Sequence, residues 1–142
     1  MSEFGNLKER LSLSLDPIII TDPKGMILQV SRGFTHVTGF ESKDVLGKSP
    51  KIWRTHRHED SFYKEMWNSI TKGKTWRGDV TNFTKDGTRY EAELSIVPVH
   101  YNFQIVYYIG VHRKVNIIEK PADDFLQIAP NRGLTRMPIY GT

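Results

Sequence analysis

The second half of the chain contains a long segment in which apolar and polar side chains alternate. Its apolar positions are Tyr90, Ala92, Leu94, Ile96 and Pro98, and the polar positions between them include Glu91, Glu93 and Ser95. A period of two places successive side chains on opposite faces of a β-strand. The segment therefore predicts a strand from a sheet with one buried face, and the even-numbered residues form that face.

Two more strands flank this segment and are joined to it by short turns. Asp86-Gly87 stands at the first turn and is a strong signal for a β-hairpin. The three predicted strands are residues 75–84, 88–99 and 104–113. Together they predict an antiparallel three-stranded meander.

The buried face of this meander carries polar side chains as well as apolar ones. On the first strand, alternation groups Trp76 and Asn82 with apolar Val80. On the third strand both faces are apolar, so alternation leaves the inward face open; His112 faces inward if Tyr108 and Gly110 do. An amide, and an imidazole if that face is inward, are thus expected among core residues, where each is either paired within the protein or directed at a ligand.

The N-terminal half predicts a second hairpin followed by helices. Two β-branched or apolar strands, 17–21 and 26–30, are separated by a turn at 22–25 that contains Pro and Gly. Ser31 is a helix N-cap and Gly39 a helix stop. Further helices are predicted over residues 42–47, opened by a cap at Ser42, and over residues 60–71, ahead of Gly73.

The first residues predict an amphipathic helix over 5–15, because Leu7, Leu11 and Leu15 follow one another at four-residue spacing. One small domain leaves part of such a stripe uncovered, so we expect a homodimer through this helix, the alternative being that it folds back over its own sheet. After Arg113 the pattern fails, and prolines and glycines predict an irregular tail.

Composition narrows the class of protein. The chain has 142 residues with 38% hydrophobic and 25% charged residues, enough for a single core. It has no cysteine, which excludes disulfides and thiolate metal sites. The net charge of +4 is too small to indicate a nucleic-acid-binding protein. Neither a membrane span nor a secretory signal is found, so we expect a cytoplasmic protein.

Basic residues are concentrated in one stretch in the middle of the chain, which contains Lys48, Lys51, Arg54, His56 and His58. The stretch is either a solvated loop or the entrance to an anion-binding site. No nucleophile–base pair, Walker motif or dinucleotide glycine motif accompanies it. We therefore expect a protein that is not an enzyme and has no metal site.

An ordered series of motifs resembles a PAS domain over roughly residues 15–113. The matching segments are Ile20-Thr21-Asp22, Val30-Ser31-Arg32-Gly33-Phe34, Val37-Thr38-Gly39-Phe40, Val45-Leu46-Gly47-Lys48, Trp76-Arg77-Gly78, Asn82-Phe83-Thr84-Lys85-Asp86-Gly87 and Tyr108-Ile109-Gly110-Val111. The resemblance implies an α+β fold with a five-stranded antiparallel sheet in the order 2-1-5-4-3 and short helices on one face. It also implies a cap helix at 1–14, a PAS domain at 15–114 and a tail or linker at 115–142.

Among PAS domains, the sequence is most similar to the redox-sensing flavin domains of the nitrogen-fixation regulator and aerotaxis receptor kind. The shared features are Met66-Trp67, Lys74-Thr75-Trp76-Arg77-Gly78 and the strand from Tyr107 to Arg113. Light-sensing LOV domains also look similar, but their reactive cysteine corresponds to Pro50 here. Thiol–flavin adduct chemistry is therefore excluded.

This resemblance implies a sensor of redox state or oxygen that binds FAD, with FMN or no cofactor as alternatives. Asn82 and His112 correspond to polar residues that contact the flavin ring, and Trp76 to a tryptophan near it. Lys48, Lys51 and Arg54 would lie where the flavin tail leaves the pocket and pair with its pyrophosphate. The sequence departs from the pattern at Phe83-Thr84, where the family often has two basic residues, and at Ala92, where LOV domains have an asparagine.

Two other functions fit the same fold. One is a PAS module without cofactor that dimerises, relays a signal or binds a small metabolite. The other is a haem gas sensor, since some oxygen-sensing PAS domains bind iron through a histidine in the region of His56 and His58. In each case a signalling output domain or partner protein is expected.

Overall fold

The computed structural model describes residues 8–118; residues 1–7 and 119–142 lie outside this part. The strands are β1 (Ile18–Thr21), β2 (Ile27–Val30), β3 (Trp76–Phe83), β4 (Arg89–Tyr101) and β5 (Gln104–Ile118). The helices are α1 (Arg32–Thr38), α2 (Ser42–Val45), a 3₁₀ helix (Pro50–Trp53) and α3 (Asp60–Thr71). The expected α+β class is confirmed.

All five strands form one antiparallel sheet in the order β2-β1-β5-β4-β3. The first strand therefore pairs with the last, and Ile19 lies opposite Gly110. On the other side of β5, Gly110 and His112 face Ile96 and Leu94 of β4. The strand order implied by the family resemblance is confirmed.

The face of the sheet that carries the even-numbered residues of β3, β4 and β5 is covered by the helices and is called the inner face below. Tyr90, Ala92, Val80 and Tyr108 are buried there, together with Met66 and Ile70 from α3. A second cluster joins Phe34 of α1 and Trp53 of the 3₁₀ helix to β1 and β2. The alternation thus predicted the buried face correctly.

The hydroxyl group of Ser31 holds the corner between β2 and α1. Its Oγ accepts hydrogen bonds from the backbone N–H groups of Phe34, at 3.1 Å, and Ile18, at 2.8 Å, and donates one to the carbonyl of Asp16, at 2.6 Å. Ser31 is therefore the N-cap of α1, as predicted, and it also ties the start of β1 to the end of β2.

The other predicted helices agree with the structure with two exceptions. α3 has the predicted bounds, and α1 ends at Gly39, whose φ of 79° is left-handed. The N-cap of α2 is Glu41, so the prediction that Ser42 caps this helix is wrong. The 3₁₀ helix was not predicted, although Ser49 before Pro50 is a recognisable start signal.

β5 is longer than predicted, because it continues past Arg113 to Ile118. Glu91 pairs with Asn116 whereas Glu93 pairs with Arg113, so one additional residue of β5 lies across from Ala92. This β-bulge is accommodated by Lys114, whose φ is 53°. Residues 115–118 therefore belong to the sheet, and the rest of the predicted tail lies outside the described residues.

The turn between β4 and β5 has an unusual composition. Asn102 and Phe103 have φ values of 52° and 64°, so both central residues of this two-residue turn are left-handed. Such turns favour Asn followed by Gly. A phenylalanine in this conformation costs roughly 1–2 kcal/mol, because its Cβ approaches the following carbonyl oxygen.

The N-terminal segment agrees only in part with the predicted helix. Residues 8–12 are helical, but the helix ends there and Leu15 lies in a bend with 81% of its surface exposed. Leu7 lies outside the described residues. The prediction that the helix extends to Leu15 is therefore wrong.

None of the helices within residues 8–118 combines the length and the apolar character needed to cross a membrane.

Replacing Ser31 with alanine should destabilise the fold by about 2–4 kcal/mol, because the helix loses its cap and a buried N–H group of β1 loses its acceptor. Equilibrium unfolding in urea measures this loss. The matched control is Ser14→Ala, since the Oγ of Ser14 accepts only an exposed hydrogen bond, from the N–H of Asp16. The control should change stability by no more than about 0.5 kcal/mol. Equal losses in the two variants would contradict this view of the corner.

Candidate functional site

A cavity of about 370 Å³ lies between the inner face of the sheet and the helices. Cavities of this size are typical of sites for small organic ligands. Its sheet side consists of Ile19, Thr21, Leu94, Ile96, Tyr108 and Gly110. Gly110 contributes no side chain, and a Cβ built there would meet Leu94 at 3.5 Å, an ordinary contact distance. Because Gly110 has no side chain, the space beside its backbone is part of the cavity.

The opposite side of the cavity is formed by α3 through Met66, Trp67 and Ile70. Trp67 closes one end, because its indole ring packs against the turn between β1 and β2. A Cβ placed on Gly25 of that turn would lie 2.9 Å from the indole, so no larger residue fits without a shift. Trp67 also stands edge-on to Tyr108, at 5.8 Å between ring centroids.

The entrance is basic. Lys24, Lys51 and Arg54 contribute to its wall beside Ser49. Lys48 does not line the cavity: its side chain is exposed, and its backbone carbonyl accepts a hydrogen bond from the N–H of Ile27. The structure therefore brings two of the three predicted basic residues to the entrance and leaves the third in solvent.

Arg54 is held in place by contacts that leave its charge unpaired. Its guanidinium lies 3.8 Å from the ring centroid of Tyr63, and its backbone forms an isolated β-bridge with Asn82. Burial lowers the pKa of Arg54. Within residues 8–118 no carboxylate forms an ion pair with this guanidinium. A half-buried arginine without a carboxylate partner is a suitable site for an anionic ligand group.

A second depression, called the α3 groove below, adjoins the entrance on the outside of the domain. Its volume is about 770 Å³, and Lys51, Arg54 and Trp67 line both it and the cavity. Asp60, Tyr63, Lys64, Glu65, Asn68 and Thr71 complete its lining. A ligand that fills the cavity and passes the basic residues would therefore enter the α3 groove.

His112 is buried on the inner face, with 3% of its surface exposed. Neither Nδ1 nor Nε2 makes a well-formed hydrogen bond among the described residues, although the backbone of Pro17 is near enough to oppose part of the shift in the His112 pKa. Burial lowers the pKa of His112 to about 4, so its imidazole is neutral at neutral pH. His112 is not part of the cavity wall, but its cross-strand neighbour Leu94 and Gly110, two residues before it, are. On the inner face of β5, His112 is thus the next side chain after Gly110 and lies just outside the cavity wall.

Asn82 and His112 face the interior from strands on either side of β4, and Tyr90 lies between them. The Nδ2 of Asn82 donates a hydrogen bond to the Tyr90 hydroxyl at 3.4 Å, a long and weak contact. The Tyr90 ring stands edge-on to the His112 ring at 5.9 Å. Burial raises the pKa of Tyr90 to about 12, so the hydroxyl keeps its proton. Sequence analysis identified the two outer residues and missed this link.

Trp76 is buried, as alternation predicted, but it does not line the cavity. Its indole lies over Gly78, where a Cβ would be 2.5 Å from ring atoms. Its other neighbour is Phe62 of α3, edge-on at 5.4 Å. In this structure Trp76 is therefore a core residue beneath α3, and its predicted proximity to a flavin ring stays a prediction.

The two histidines considered as haem ligands lie away from the cavity. His56 is exposed, and His58 stacks on Phe62 at 3.9 Å between ring centroids. His58 lines a separate depression with Arg57 and Asp79, and neither histidine contributes to the cavity wall. Within residues 8–118 no cluster of three or more metal-ligating side chains is present.

Sequence analysis missed most residues of the cavity wall. Ile96 was predicted to face inward and Tyr108 only if its face of the third strand does, but nothing in their spacing indicated a cavity. Tyr63, which positions Arg54, gave no signal beyond its place in a helix. The one usable signal was Trp67, an aromatic residue that directly follows Met66 of the apolar face of α3.

Comparison with known proteins was consistent with this architecture. The family model described as PAS domain matches residues 15–115. The nitrogen fixation regulatory protein of Klebsiella oxytoca is 24% identical over 115 residues, which cover 80% of this chain and 23% of that protein. The aerotaxis receptor of Escherichia coli is 26% identical over 120 residues, which cover 84% of this chain and 24% of the receptor. The chain thus spans about a quarter of the length of these two relatives.

Among solved structures, the light-state structure of the blue-light photoreceptor aureochrome 1 LOV superposes with a TM-score of 0.64 at 26% identity. The match covers 81% of this chain and 90% of that one.

Proposed function

The chain belongs to the PAS domain family, and we propose that it is a sensory module that binds a flavin, FAD, in the cavity beneath α3 and responds to redox state or oxygen. The similarity to a regulatory protein, a receptor and a photoreceptor supports a sensory rather than a catalytic role. The resemblance of its motifs to flavin-binding PAS domains supports the choice of ligand. We further propose that it acts in the cytoplasm on an output domain or partner protein.

The observation that carries this proposal is the buried His112 imidazole, which follows Gly110 of the cavity wall on the inner face of β5. Leaving both ring nitrogens of a buried histidine without a well-formed hydrogen bond costs stability in the protein alone. A flavin ring presents a polar edge with donors and acceptors, which suits the neutral His112 imidazole. Asn82 does not line the cavity and its amide is bonded to the Tyr90 hydroxyl, so it would contact a flavin only if Tyr90 moved aside. The residues present therefore fit a flavin in their chemistry.

The basic entrance and the α3 groove support FAD over a mononucleotide. Lys51 and Arg54 stand between the cavity and the groove, where the phosphates of a dinucleotide would pass. Beyond them the groove offers room for an adenosine, with Tyr63 and Trp67 as aromatic surfaces. FMN would end at the basic residues and leave the groove empty.

In this proposal the response begins at His112. A bound flavin supplies a ring nitrogen that accepts a hydrogen bond when oxidised and donates one when reduced. Because the His112 pKa of about 4 keeps the imidazole neutral, it has one donor and one acceptor nitrogen and can exchange their roles by changing tautomer or ring orientation. The Tyr90 ring, which is in contact with the imidazole, and the adjoining residues of β5 would experience this change directly.

An absorption spectrum of the purified chain, before and after incubation with FAD, tests the proposal. Flavin bands that remain with the protein after gel filtration support it. A colourless protein that does not retain FAD would contradict it and favour a module without cofactor. A Soret band would instead favour the haem alternative.

Removing the basic residues at the entrance should weaken FAD binding by about 1–3 kcal/mol, because charge-assisted hydrogen bonds to the phosphates are lost. The variant is Lys51→Gln/Arg54→Gln, and fluorescence titration measures the Kd. Riboflavin, which has no phosphate, should bind both proteins equally.

The matched control is Lys48→Gln, which removes a neighbouring lysine outside the cavity wall and should leave FAD binding unchanged. If the double variant and the control weaken FAD equally, the phosphates do not pass Lys51 and Arg54. If riboflavin weakens as much as FAD, Lys51 and Arg54 maintain the shape of the cavity instead.

Replacing His112 with phenylalanine should keep the fold and uncouple β5 from the redox state, because the ring still fills the space beside Phe34 and Tyr90 but has no nitrogen. Hydrogen exchange of residues 114–118, compared between oxidised and reduced protein, measures the coupling. Asn82→Ala is the control, since it should loosen flavin binding and retain the difference. A His112→Phe protein that binds FAD and shows the wild-type difference would exclude this relay.

We also propose a homodimer formed through the N-terminal segment. Leu11 is partly buried and Leu15 is highly exposed just after the helical residues 8–12, so an apolar side chain is available to a second copy. Leu15→Lys should then give a monomer by light scattering, because a charge would be buried in the interface. A wild-type protein that is monomeric at high concentration would rule out this interface.

A further inference from the structure

The tip of the β4–β5 hairpin carries a large apolar side chain that is not buried in the domain. Phe103 is fully exposed, at 103% of its reference surface. Its φ of 64° is a conformation in which glycine would be unstrained and phenylalanine is not. A strained backbone that serves no packing purpose indicates a functional constraint.

Lysines flank this tip on both faces of the hairpin. On the helix side, Lys72 and Lys74 are exposed next to Gly73, and a Cβ on Gly73 would lie 3.3 Å from the Nε2 of His100. On the other side, the Nζ of Lys8 lies 5.7 Å from the ring centroid of Tyr107. None of the three lysines forms an ion pair within the described range, 8–118.

Acidic residues are few at this end of the sheet. Residues 71–78 and 96–112 contain no Asp or Glu, the neighbouring turn contributes Asp22, and Glu9 follows Lys8 in the N-terminal segment. The side chain of Asp22 is engaged by the backbone N–H groups of Lys24 and Met26. The tip is therefore an exposed aromatic group surrounded by positive charge.

We propose that the β4–β5 hairpin tip attaches the domain to an anionic lipid bilayer, with Phe103 inserted among the headgroups and Lys72, Lys74 and Lys8 against the surface. An interfacial aromatic group combined with lysines is the arrangement by which peripheral proteins bind such membranes. A planar anionic surface can contact the lysines on both faces of a protruding turn at the same time. This attachment is independent of the flavin cavity.

Sedimentation of the full chain with vesicles tests the proposal. Binding is expected to vesicles that contain phosphatidylserine, to be absent with phosphatidylcholine alone, and to fall as salt is raised. Lys72→Gln/Lys74→Gln should weaken the binding about 25-fold, at roughly fivefold per lysine.

Phe103→Gly separates function from folding. It should weaken vesicle binding about 10-fold or more and at the same time raise the thermal unfolding midpoint, because glycine relieves the left-handed strain. Ile117→Ser, which removes an exposed apolar side chain at the opposite end of β5, is the control and should bind as the wild type does.

Three outcomes would overturn the proposal. The first is a wild-type chain that fails to sediment with phosphatidylserine vesicles at low salt. The second is a Phe103→Gly protein that binds them as tightly as the wild type. The third is binding that is equal on both lipids and insensitive to salt. If vesicles are not bound and Phe103→Gly abolishes self-association in light scattering, the tip is a contact between copies of this chain instead.

Discussion

The pairing of β1 with β5 is the constraint on which the rest of the structure depends. It joins residues 18–21 to residues 108–111, so the first and last strands lie side by side in the centre of the sheet. Everything between β2 and β3 must then cross one face of the sheet, and the helices and the 3₁₀ helix cover that face. The cavity is the space left between this crossing segment and the central strands, at the point where Gly110 of β5 has no side chain.

Sequence analysis predicted burial and secondary structure accurately where the residues follow a regular pattern. It was inaccurate where the backbone conformation changes within an element. Alternation predicted that Tyr90 is buried, because the side-chain period of a strand is fixed, but it left the inward face of β5, and with it the burial of His112, open because both faces of that strand are apolar. The same rule could not predict the extension of β5, since the bulge at Lys114 shifts the alternation by one residue. The 3₁₀ helix was missed because a single four-residue turn is too short to produce a helical period.

The candidate site was predicted in part. The physical reason why a residue was or was not predicted correctly differs from residue to residue. The sequence gives no reason to distinguish three neighbouring basic residues, Lys48, Lys51 and Arg54. In the structure only Lys51 and Arg54 reach the entrance. The carbonyl of Lys48 is held by β2, and Arg54 is anchored by its bridge to β3 and by Tyr63. Such contacts join residues distant in sequence, so no local pattern contains them. Trp76 shows the converse: its burial was predictable, and its distance from the cavity depends on how the indole lies over Gly78.

β5 and the turn before it contain two costly residues, Phe103 and His112, and the pairing of β5 explains how His112 can affect the C-terminal end of the strand. Phe103 is strained at the tip, and His112 is buried without a well-formed hydrogen bond at either nitrogen. From Tyr108 to Val111 the strand is paired on both sides, and the N–H of His112 still donates to the carbonyl of Pro17. Beyond His112, the described part of β5 pairs only with β4 and is interrupted by the bulge. His112 therefore stands where β5 passes from a central strand to an edge strand, so a movement of its ring opposes fewer hydrogen bonds on the C-terminal side than on the N-terminal side. In the proposed relay, a rearrangement at the imidazole would therefore be transmitted most readily toward Ile118.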